Sequence, residues 1–372
     1  MPRRQFLRTS AGAVAAGTFA TPHLLGQDDA GSNEEGKKLG VALVGLGVLS
    51  TGQLGPAFKE TKHCKLTGLV TGSRDKAKKW SEQYGIDEKN VYNYENFEKI
   101  ADNPEIDIIY IVLPNSMHAE YTIRAAKIKK HVLCEKPMAN SVADCEAMIA
   151  ACKENGVKLA IGYRCQFEPH HIECMRLAKE KEYGAVKLID AGFGFRAGDP
   201  AKHSHVRWRL NKKMAGGGAL MDVGVYALQA CRYLTGEEPT EVFAMETKTD
   251  PVKFAEVDES IDWTMRFPSG VMANCSTTYS VSGMNRFKAL AEKGWFGLEP
   301  AYSYGGIKGQ SKNGDWSVET FNQFAAEMDD FALCVKEGRE SRVAGEDGLK
   351  DMRVVEAIYE SIAKGAKVKV VS

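Results

Sequence analysis

The sequence has no excess of charge of either sign: 49 Lys and Arg face 49 Asp and Glu. A balanced chain without a basic stripe excludes a nucleic-acid partner, because phosphate binding needs a concentrated positive face. Internal repeats and low-complexity tracts are missing too, which excludes solenoids and linker-like chains. The nine cysteines are odd in number and form no compact spacing, so a fully paired disulfide framework is excluded. Cys145 and Cys152 would stand two helical turns apart, about 10 Å, too far to bridge. Mostly free, structural thiols are expected. Residues 165–174 (CQFEPHHIEC) and 203–205 (HSH) hold metal-ligand types, but their spacing fits no common zinc pattern, and no metal is expected. Finally, no hydrophobic run is long enough to span a bilayer. The apolar stretch within residues 11–25 is short and broken by Gly and Thr, so no stable membrane anchor is expected.

What is present is a chain of 372 residues with 44% hydrophobic content, enough for a large core and two domains. Residues 1–27 carry three arginines near their start, no acidic residue and a moderately apolar middle. That layout, with Arg3-Arg4-Gln5-Phe6-Leu7, resembles a cleavable twin-arginine signal. The expectation is a periplasmic protein that meets the twin-arginine translocase already folded. Cleavage after Phe19-Ala20 or after Gly26-Gln27 fits the segment equally. Residues 28–38 read as a polar linker or arm.

From residue 39 to 162, apolar strands alternate with amphipathic helices, which predicts a doubly wound parallel sheet of Rossmann type. The strands read as LGVALVG, KLTGLVTG, IDIIYIVLP, HVLCE and VKLAIGY. Helices are predicted up to about Lys62, over RDKAKKWSEQYG, over SMHAEYTIRAAKI with Ser116 as cap, and from Ser141 to Gly156. Residues 163–372 change character and predict an α+β substrate-binding and oligomerisation domain. Ile261, Trp263, Met265 and Phe267 alternate along one strand, and Val271, Ala273, Cys275 and Thr277 follow a Pro268-Ser269-Gly270 turn, the pattern of a hairpin with one covered face. Helices over about 319–336 and 345–364, then a short strand VKVVS, close the chain.

The chemistry-bearing motifs fall at the carboxyl edge of the predicted parallel sheet, where open α/β folds bind ligands. Gly45, Leu46, Gly47, Val48 and Leu49 form the first β-to-α turn. Glycines there let a pyrophosphate approach backbone N–H groups at a helix start, although Ser50 replaces the third glycine of the fingerprint. The second strand ends in Thr71, Gly72, Ser73 and Arg74, with Lys76 following. An NAD enzyme offers an acid at this place, whereas a hydroxyl and a guanidinium suit a ribose phosphate, so the cofactor is read as NADP with NAD as the alternative. An ordinary helix start, with Ser73 as cap and Arg74 solvated, explains the same residues. Leu113, Pro114, Asn115 and His118 occupy the third turn, and Glu135 and Lys136, followed by Pro137, end the fourth long strand. Farther on, AGGGALMDVGVYAL places Asp222 and Tyr226 on one helix face, one turn apart. Its triple glycine, Gly216, Gly217 and Gly218, would let that helix begin against a ligand.

The segments LPNSMHAE, HVLCEKPM, IGYRC, WRL and AGGGALMDVGVYAL, in this order, resemble the Gfo/Idh/MocA oxidoreductases. Within that family they look most like the glucose–fructose oxidoreductases, which also have Tyr where many members have His. The resemblance implies a Rossmann domain for NAD(P) joined to a domain on a large open, mainly antiparallel sheet. It also implies hydride transfer between a sugar carbon and a tightly held nicotinamide. Lys136, next to a commonly cis Lys-Pro bond, would reach the reacting sugar oxygen. Asp222 and Tyr226 complete the catalytic group, while Arg164, Trp208 and Arg209 line the cofactor and substrate cleft. Hydride leaves carbon only as the hydroxyl proton departs, so Tyr226 would act as acid/base with its pKa lowered by Lys136, and Asp222 would orient the pair. A homodimer or homotetramer is implied, although only a short segment stands where glucose–fructose oxidoreductases carry a longer proline-rich arm. Two other readings are a redox-type glycosidase of the same superfamily using NAD, and a sugar-sensing protein without turnover.

Overall fold

Uninterrupted apolar runs build the first sheet. Its strands are β1 (Leu39–Val44), β2 (Cys64–Val70), β3 (Val91–Tyr92), β4 (Ile108–Ile111), β5 (His131–Glu135) and β6 (Leu159–Gly162). They pair all in parallel in the order β3-β2-β1-β4-β5-β6. Leu43, Val44, Ile109 and Ile111 are wholly buried, as expected where helices cover both faces of a sheet. The strand order reverses between β1 and β4, so the turns that follow these two strands meet at the topological switch point. This computed structural model describes residues 36–371; the expected leader and most of segment 28–38 lie outside the described residues.

Local chemistry sets the helix ends. A helical stretch at Ser50–Leu54 runs into α1 (Gly55–Ala57) and stops short of Lys62. There the Thr61 hydroxyl lies within hydrogen-bonding distance of both Phe58 O and Cys64 O, which turns the chain toward β2. Next, α2 (Arg74–Tyr84) is capped by Ser73 and ended by Gly85 at φ 68°. By contrast, α3 (His118–Lys127) has no side-chain cap. The prediction of Ser116 as cap is corrected: residues Asn115–Met117 wind as a tight 3₁₀ turn, closed by Met117 N–H on Pro114 O at 2.9 Å. Ser141 and Gly156 bound α4 (Val142–Asn155) as predicted, and the Ser141 side chain accepts from Asp144 N–H.

The second sheet has nine strands. After α5 (Pro169–Lys179) comes β7 (Val186–Gly194), then α6 (Ser204–Arg207), α7 (Lys212–Ala215), a π-helical turn (Leu220–Gly224) and α8 (Val225–Thr235). The remaining strands are β8 (Glu241–Thr247), β9 (Ser260–Arg266), β10 (Met272–Thr278), β11 (Asn285–Ala291), β12 (Gly294–Leu298), β13 (Gly309–Ser311), β14 (Gly314–Trp316) and β15 (Val368–Lys369). Their order is β14-β13-β12-β11-β7-β10-β9-β8-β15, antiparallel except for the β7–β10 pair. The predicted hairpin is β9–β10: Trp263 faces Cys275 and Met265 faces Ala273 in register, and these four are buried on one face.

Two helices close the fold, α9 (Gln323–Glu337) and α10 (Gly345–Lys364). The first begins later than the predicted 319, because the Asn322 side chain accepts from Phe324 N–H and Ala325 N–H and starts the helix there. A border near Gly162 separates the two sheets but not their cores, which form one continuous apolar cluster. The C-terminal segment returns to the first sheet, where Ile161 N–H donates to Val343 O at 2.8 Å. Arg232, near the end of α8, is buried and donates to Glu238, Asp347 and Asp351. That anchor pins the far end of α8 to α10 and leaves its near end, with Tyr226, pointing at the edge of the first sheet.

Candidate active site

Three turns at the carboxyl edge of the parallel sheet form one side of the site. Gly45 has φ 94°, and a Cβ there would lie 2.3 Å from Val112 O, so only glycine fits. Ser50, standing for the missing third glycine, is buried and donates its hydroxyl to Gly45 O at 2.6 Å, which locks the turn from inside. Gly47 is different: a Cβ there would meet nothing within 4 Å. The open face at Gly47 is where a pyrophosphate has access to backbone N–H groups, so the turn fits a dinucleotide. Leu46 is buried and Leu49 packs on the core, so both serve through their backbone, while Val48 is exposed.

At the second turn, Ser73 N–H donates to Thr71 Oγ1 at 3.2 Å, and Ser73 Oγ accepts from Lys76 N–H at 3.3 Å. Ser73 is therefore a helix cap. Arg74 and Lys76 are exposed, and the side chain of neither makes a hydrogen bond or ion pair with any described residue. Gly72 lies under the Tyr94 ring. The third turn is used mostly by the fold itself. Asn115 is buried and donates from Nδ2 to Ala215 O at 2.9 Å. His118 is wholly buried, with Nδ1 2.9 Å from Pro137 O and Nε2 2.9 Å from Leu113 O. Both ring nitrogens are thus committed to carbonyls, and His118 ties the Leu113-Pro114 turn to the one after β5. Burial pushes its pKa down.

Lys136 follows β5, and the Lys136-Pro137 peptide is cis, as the resemblance implied. Its Nζ donates to Asp222 O at 2.6 Å, lies 3.7 Å from Asp222 Oδ1, and stands 4.7 Å from the Tyr226 ring centre. The three residues read as a catalytic group are therefore brought together. The Asp222 carboxylate also accepts from Arg209 Nε and Tyr279 Oη, each at 2.9 Å. Burial works against its charge, but Arg209, Lys136 and the Tyr279 hydrogen bond hold its pKa below the ordinary value. Arg209 in turn lies over the Trp208 ring at 4.6 Å.

The expected action of Lys136 on Tyr226 needs revision. Lys136 sits over the ring face, whereas the cation on the phenol oxygen is Arg164, whose Nε donates to Tyr226 Oη at 3.3 Å. Burial pushes the Tyr226 pKa up, and Arg164 is the charge that opposes it. Arg164 is itself buried and saturated: Nη1 donates to Gln323 Oε1 at 2.8 Å and Nη2 to Tyr302 O at 2.7 Å. Its plane is flanked by the Tyr226 and Tyr304 rings at 4.9 and 4.8 Å. Rather than opening onto a cleft, Arg164 is the built-in partner of the Tyr226 oxygen. Sequence reasoning missed Tyr279, Tyr304 and Gln323, which come from three separate elements and carry no local motif.

The triple glycine is also reassigned. Gly218 N–H and Leu220 N–H donate to the Asp258 carboxylate at 2.6 and 2.8 Å, and Tyr359 Oη donates to it at 2.7 Å. A Cβ on Gly217 would lie 2.0 Å from Tyr359 Oη, and one on Gly218 2.0 Å from Asp258 O. The glycines admit this protein-made clamp, not a ligand. Asp258 thereby starts the π-helical turn that carries Asp222, a type of turn frequent at functional sites. Asp258→Ala would leave two buried N–H groups without acceptors, and a loss of about 2 kcal/mol or more is expected in denaturant unfolding. Asp258→Asn, which keeps one acceptor oxygen, should lose less; equal stability of all three proteins would remove the clamp from this role.

Residues 165–174 serve the fold as well. Glu168 caps α5 through His171 N–H and lies 2.9 Å from His170 Nδ1, while His171 bridges Tyr233 Oη and Ala301 O at 2.5 and 2.7 Å. All nine cysteines are buried free thiols.

Comparison with known proteins matches both parts of this fold. Residues 39–163 match the model of the oxidoreductase family with an NAD-binding Rossmann fold, and residues 171–297 match the GFO/IDH/MocA C-terminal domain. The chain is 48% identical to aldose-aldose oxidoreductase from Caulobacter crescentus, solved with glycerol, over 90% of this chain and 100% of that one, with a TM-score of 0.86. It is 30% identical to D-xylose 1-dehydrogenase [NADP(+)] of Haloarcula marismortui, over 86% of this chain and 90% of that protein. A second NADP(+) D-xylose 1-dehydrogenase, from Haloferax volcanii, is 28% identical over 87% of this chain and 99% of its own length. Two matched domains in sequence, and a relative matched over its whole length at nearly half identity, make this chain a member of the Gfo/Idh/MocA oxidoreductase family.

Proposed function

We propose that the chain is an NADP-linked aldose oxidoreductase that moves hydride between a sugar CH–OH carbon and a nicotinamide it retains. The observation that carries this reading is the convergence of Lys136, Asp222 and the Tyr226–Arg164 pair beside a turn built for a dinucleotide. Relatives named for aldoses and for NADP(+) support the substrate class and the cofactor. When bound, the nicotinamide supplies the hydride acceptor or donor.

The chain's own residues handle the proton and the charge. Lys136 spends one N–H on Asp222 O, leaving ammonium protons for a sugar oxygen at which negative charge develops. Tyr226 holds a proton that burial keeps on the phenol, ready for donation to a carbonyl being reduced. In the oxidising direction it must take a proton, and the Arg164 N–H on its oxygen stabilises the phenolate that does so. Asp222 fixes Lys136 and balances its charge. A sensor without turnover would have little use for such a set. Tyr226→Phe and Lys136→Ala should each cut turnover by about two orders of magnitude, with dinucleotide binding little changed in Tyr226→Phe. Near-normal kcat in either variant would remove that residue from the mechanism.

The preference for NADP rests on Arg74, an exposed guanidinium with no side-chain partner among the described residues, beside Ser73 and Lys76. Arg74→Ala should weaken NADP binding by about 1.5–3 kcal/mol and leave NAD binding nearly unaffected, as titration calorimetry would measure. Tighter binding of NAD than NADP by the wild-type protein would overturn this assignment.

The finer reading adds export and recycling. The leader with Arg3-Arg4 suits the twin-arginine route, which carries folded proteins with cofactors already inserted, and the periplasm is not expected to supply fresh NADP. One aldose would reduce the retained nicotinamide and a second sugar, fructose or another aldose, would reoxidise it. Assembly into a homodimer or homotetramer belongs to the same reading, supported by Phe243, Met245 and Met272 exposed on the outer face of the nine-stranded sheet. The test is to purify mature protein from the periplasm, denature it and assay the supernatant for NADP(H). About one nucleotide per chain, the occupancy expected at nanomolar affinity, with ping-pong kinetics between two sugars is the expected result. Empty protein that works only with added soluble cofactor would overturn retention, and no oxidation of any aldose with either dinucleotide would overturn the function.

A further inference from the structure

Beneath the site lie two carboxyl groups that the reaction described above does not use. Glu135 at the end of β5, Tyr110 on β4 and Glu327 on α9 are all buried. Tyr110 Oη is 2.8 Å from Glu135 Oε1 and 3.4 Å from Glu327 Oε2. Glu135 Oε2 accepts from Lys136 N–H at 3.3 Å, whereas Glu327 Oε1 is buried without a hydrogen-bond partner among the described residues. One phenol proton cannot serve two carboxylates, and two buried like charges sharing one oxygen are strongly disfavoured. A carboxylate oxygen left bare in the interior costs far more than a bare neutral carbonyl.

We infer that Glu327 is held as a neutral carboxylic acid, donating to Tyr110, which donates to an ionised Glu135, and that this chain keeps the charge around Lys136 and Arg164 net positive. The proton count closes: the acid O–H goes to the phenol oxygen, the phenol O–H goes to Glu135, and Glu327 Oε1 is left as an uncharged carbonyl. The proton belongs on Glu327 rather than Glu135 because Glu135 has the Lys136 amide and ammonium beside it. Other groups facing Glu327 are Arg164, following β6, and Asp330 on its own helix, the first opposing and the second favouring protonation. Burial and then the Glu135 charge push the Glu327 pKa well up; burial also raises Glu135, where Lys136 and Tyr110 work against the rise.

The consequence is electrostatic. Around the site stand three cations, Lys136, Arg164 and Arg209, and two anions, Asp222 and Glu135. A neutral Glu327 preserves that surplus of one positive charge, and an ionised Glu327 would cancel it. A positive surplus favours the oxygen charge that develops at Lys136 and Tyr226 under the proposed reaction, on which this part of the inference rests. One face of α9 does two jobs here: Gln323 holds Arg164, and Glu327, one turn later, carries the acid. Glu327 is thus a positioning residue that acts through Tyr110 and Glu135.

Infrared difference spectroscopy on the full mature protein at neutral pH tests this without any substrate. The wild type should show a protonated-carboxyl C=O band, shifted in heavy water, that is missing from Glu327→Gln. Its absence from the wild type minus Glu327→Gln difference overturns the inference; a band common to both proteins belongs to Asp351, which burial pushes up to about 7. Tyr110→Phe offers a second reading should the first variant fail to fold: the band should persist but move, since the acid loses its acceptor, and an unmoved band overturns the chain. In turnover, Glu327→Gln should stay within about threefold of wild type and shift the alkaline fall of kcat to higher pH. An unshifted fall would strip Glu327 of its electrostatic role. Because the band needs no sugar, failure of the proposed aldose chemistry and failure of this proton assignment remain distinguishable.

Discussion

The site depends on the contact between the Lys136 ammonium and Asp222. Lys136 directly follows a strand of one sheet, Asp222 lies in the π-helical turn between the first two strands of the other, and their side chains are only 12% and 16% exposed. A cation so placed must find an anion and a hydrogen-bond acceptor, or it loses its proton. Asp222 supplies both, through its carboxylate and its main-chain carbonyl. The bond therefore does more than orient a lysine. It fixes where the edge of the parallel sheet meets the second sheet, and so where a dinucleotide and a sugar could lie side by side.

Other features exist to hold that contact. Asp258 clamps the glycines that start the Asp222 turn, and Arg232 pins the far end of α8 among three acids. His118 holds two loops by their carbonyls behind Lys136. Arg209 and Tyr279 both donate to Oδ2 of the Asp222 carboxylate. Apart from the partly exposed Arg209, each is a buried polar group satisfied by a named partner, as a low-dielectric interior demands. The outcome is a preorganised set of charges at the mouth and a set of structural ones behind it.

Several residues change meaning once placed. Arg164 reads as a cleft residue, yet its guanidinium is spent on Gln323, Tyr302 and the Tyr226 oxygen. Ser73 and Arg74 read as alternatives, cap or ligand, and the two roles separate: Ser73 caps while Arg74 extends into solvent. Gly216, Gly217 and Gly218 suggest a ligand cradle; instead Gly217 and Gly218 make room for Tyr359 and Asp258, and Gly216 turns at φ 79° against Asn140. In each case local sequence specifies a need, for an acceptor or for the absence of a Cβ, without specifying who meets it.

Five of the six parallel strands, their helices and the hairpin are legible in the sequence, because hydrophobic period, caps and turn residues act within a few positions along the chain; the two-residue edge strand β3 is too short to show a pattern. The sequence also determined that Lys136, Asp222 and Tyr226 belong together, through motifs whose order and spacing resemble a known family. Tertiary structure alone decided which charge touches which oxygen. Arg164 rather than Lys136 meets the Tyr226 hydroxyl, and Asp258 and Glu327 reach the site from about 36 and 100 residues beyond Asp222 and Tyr226. Those pairings depend on where buried chain segments cross. A crossing is set by the packing of the whole core, which no local pattern encodes.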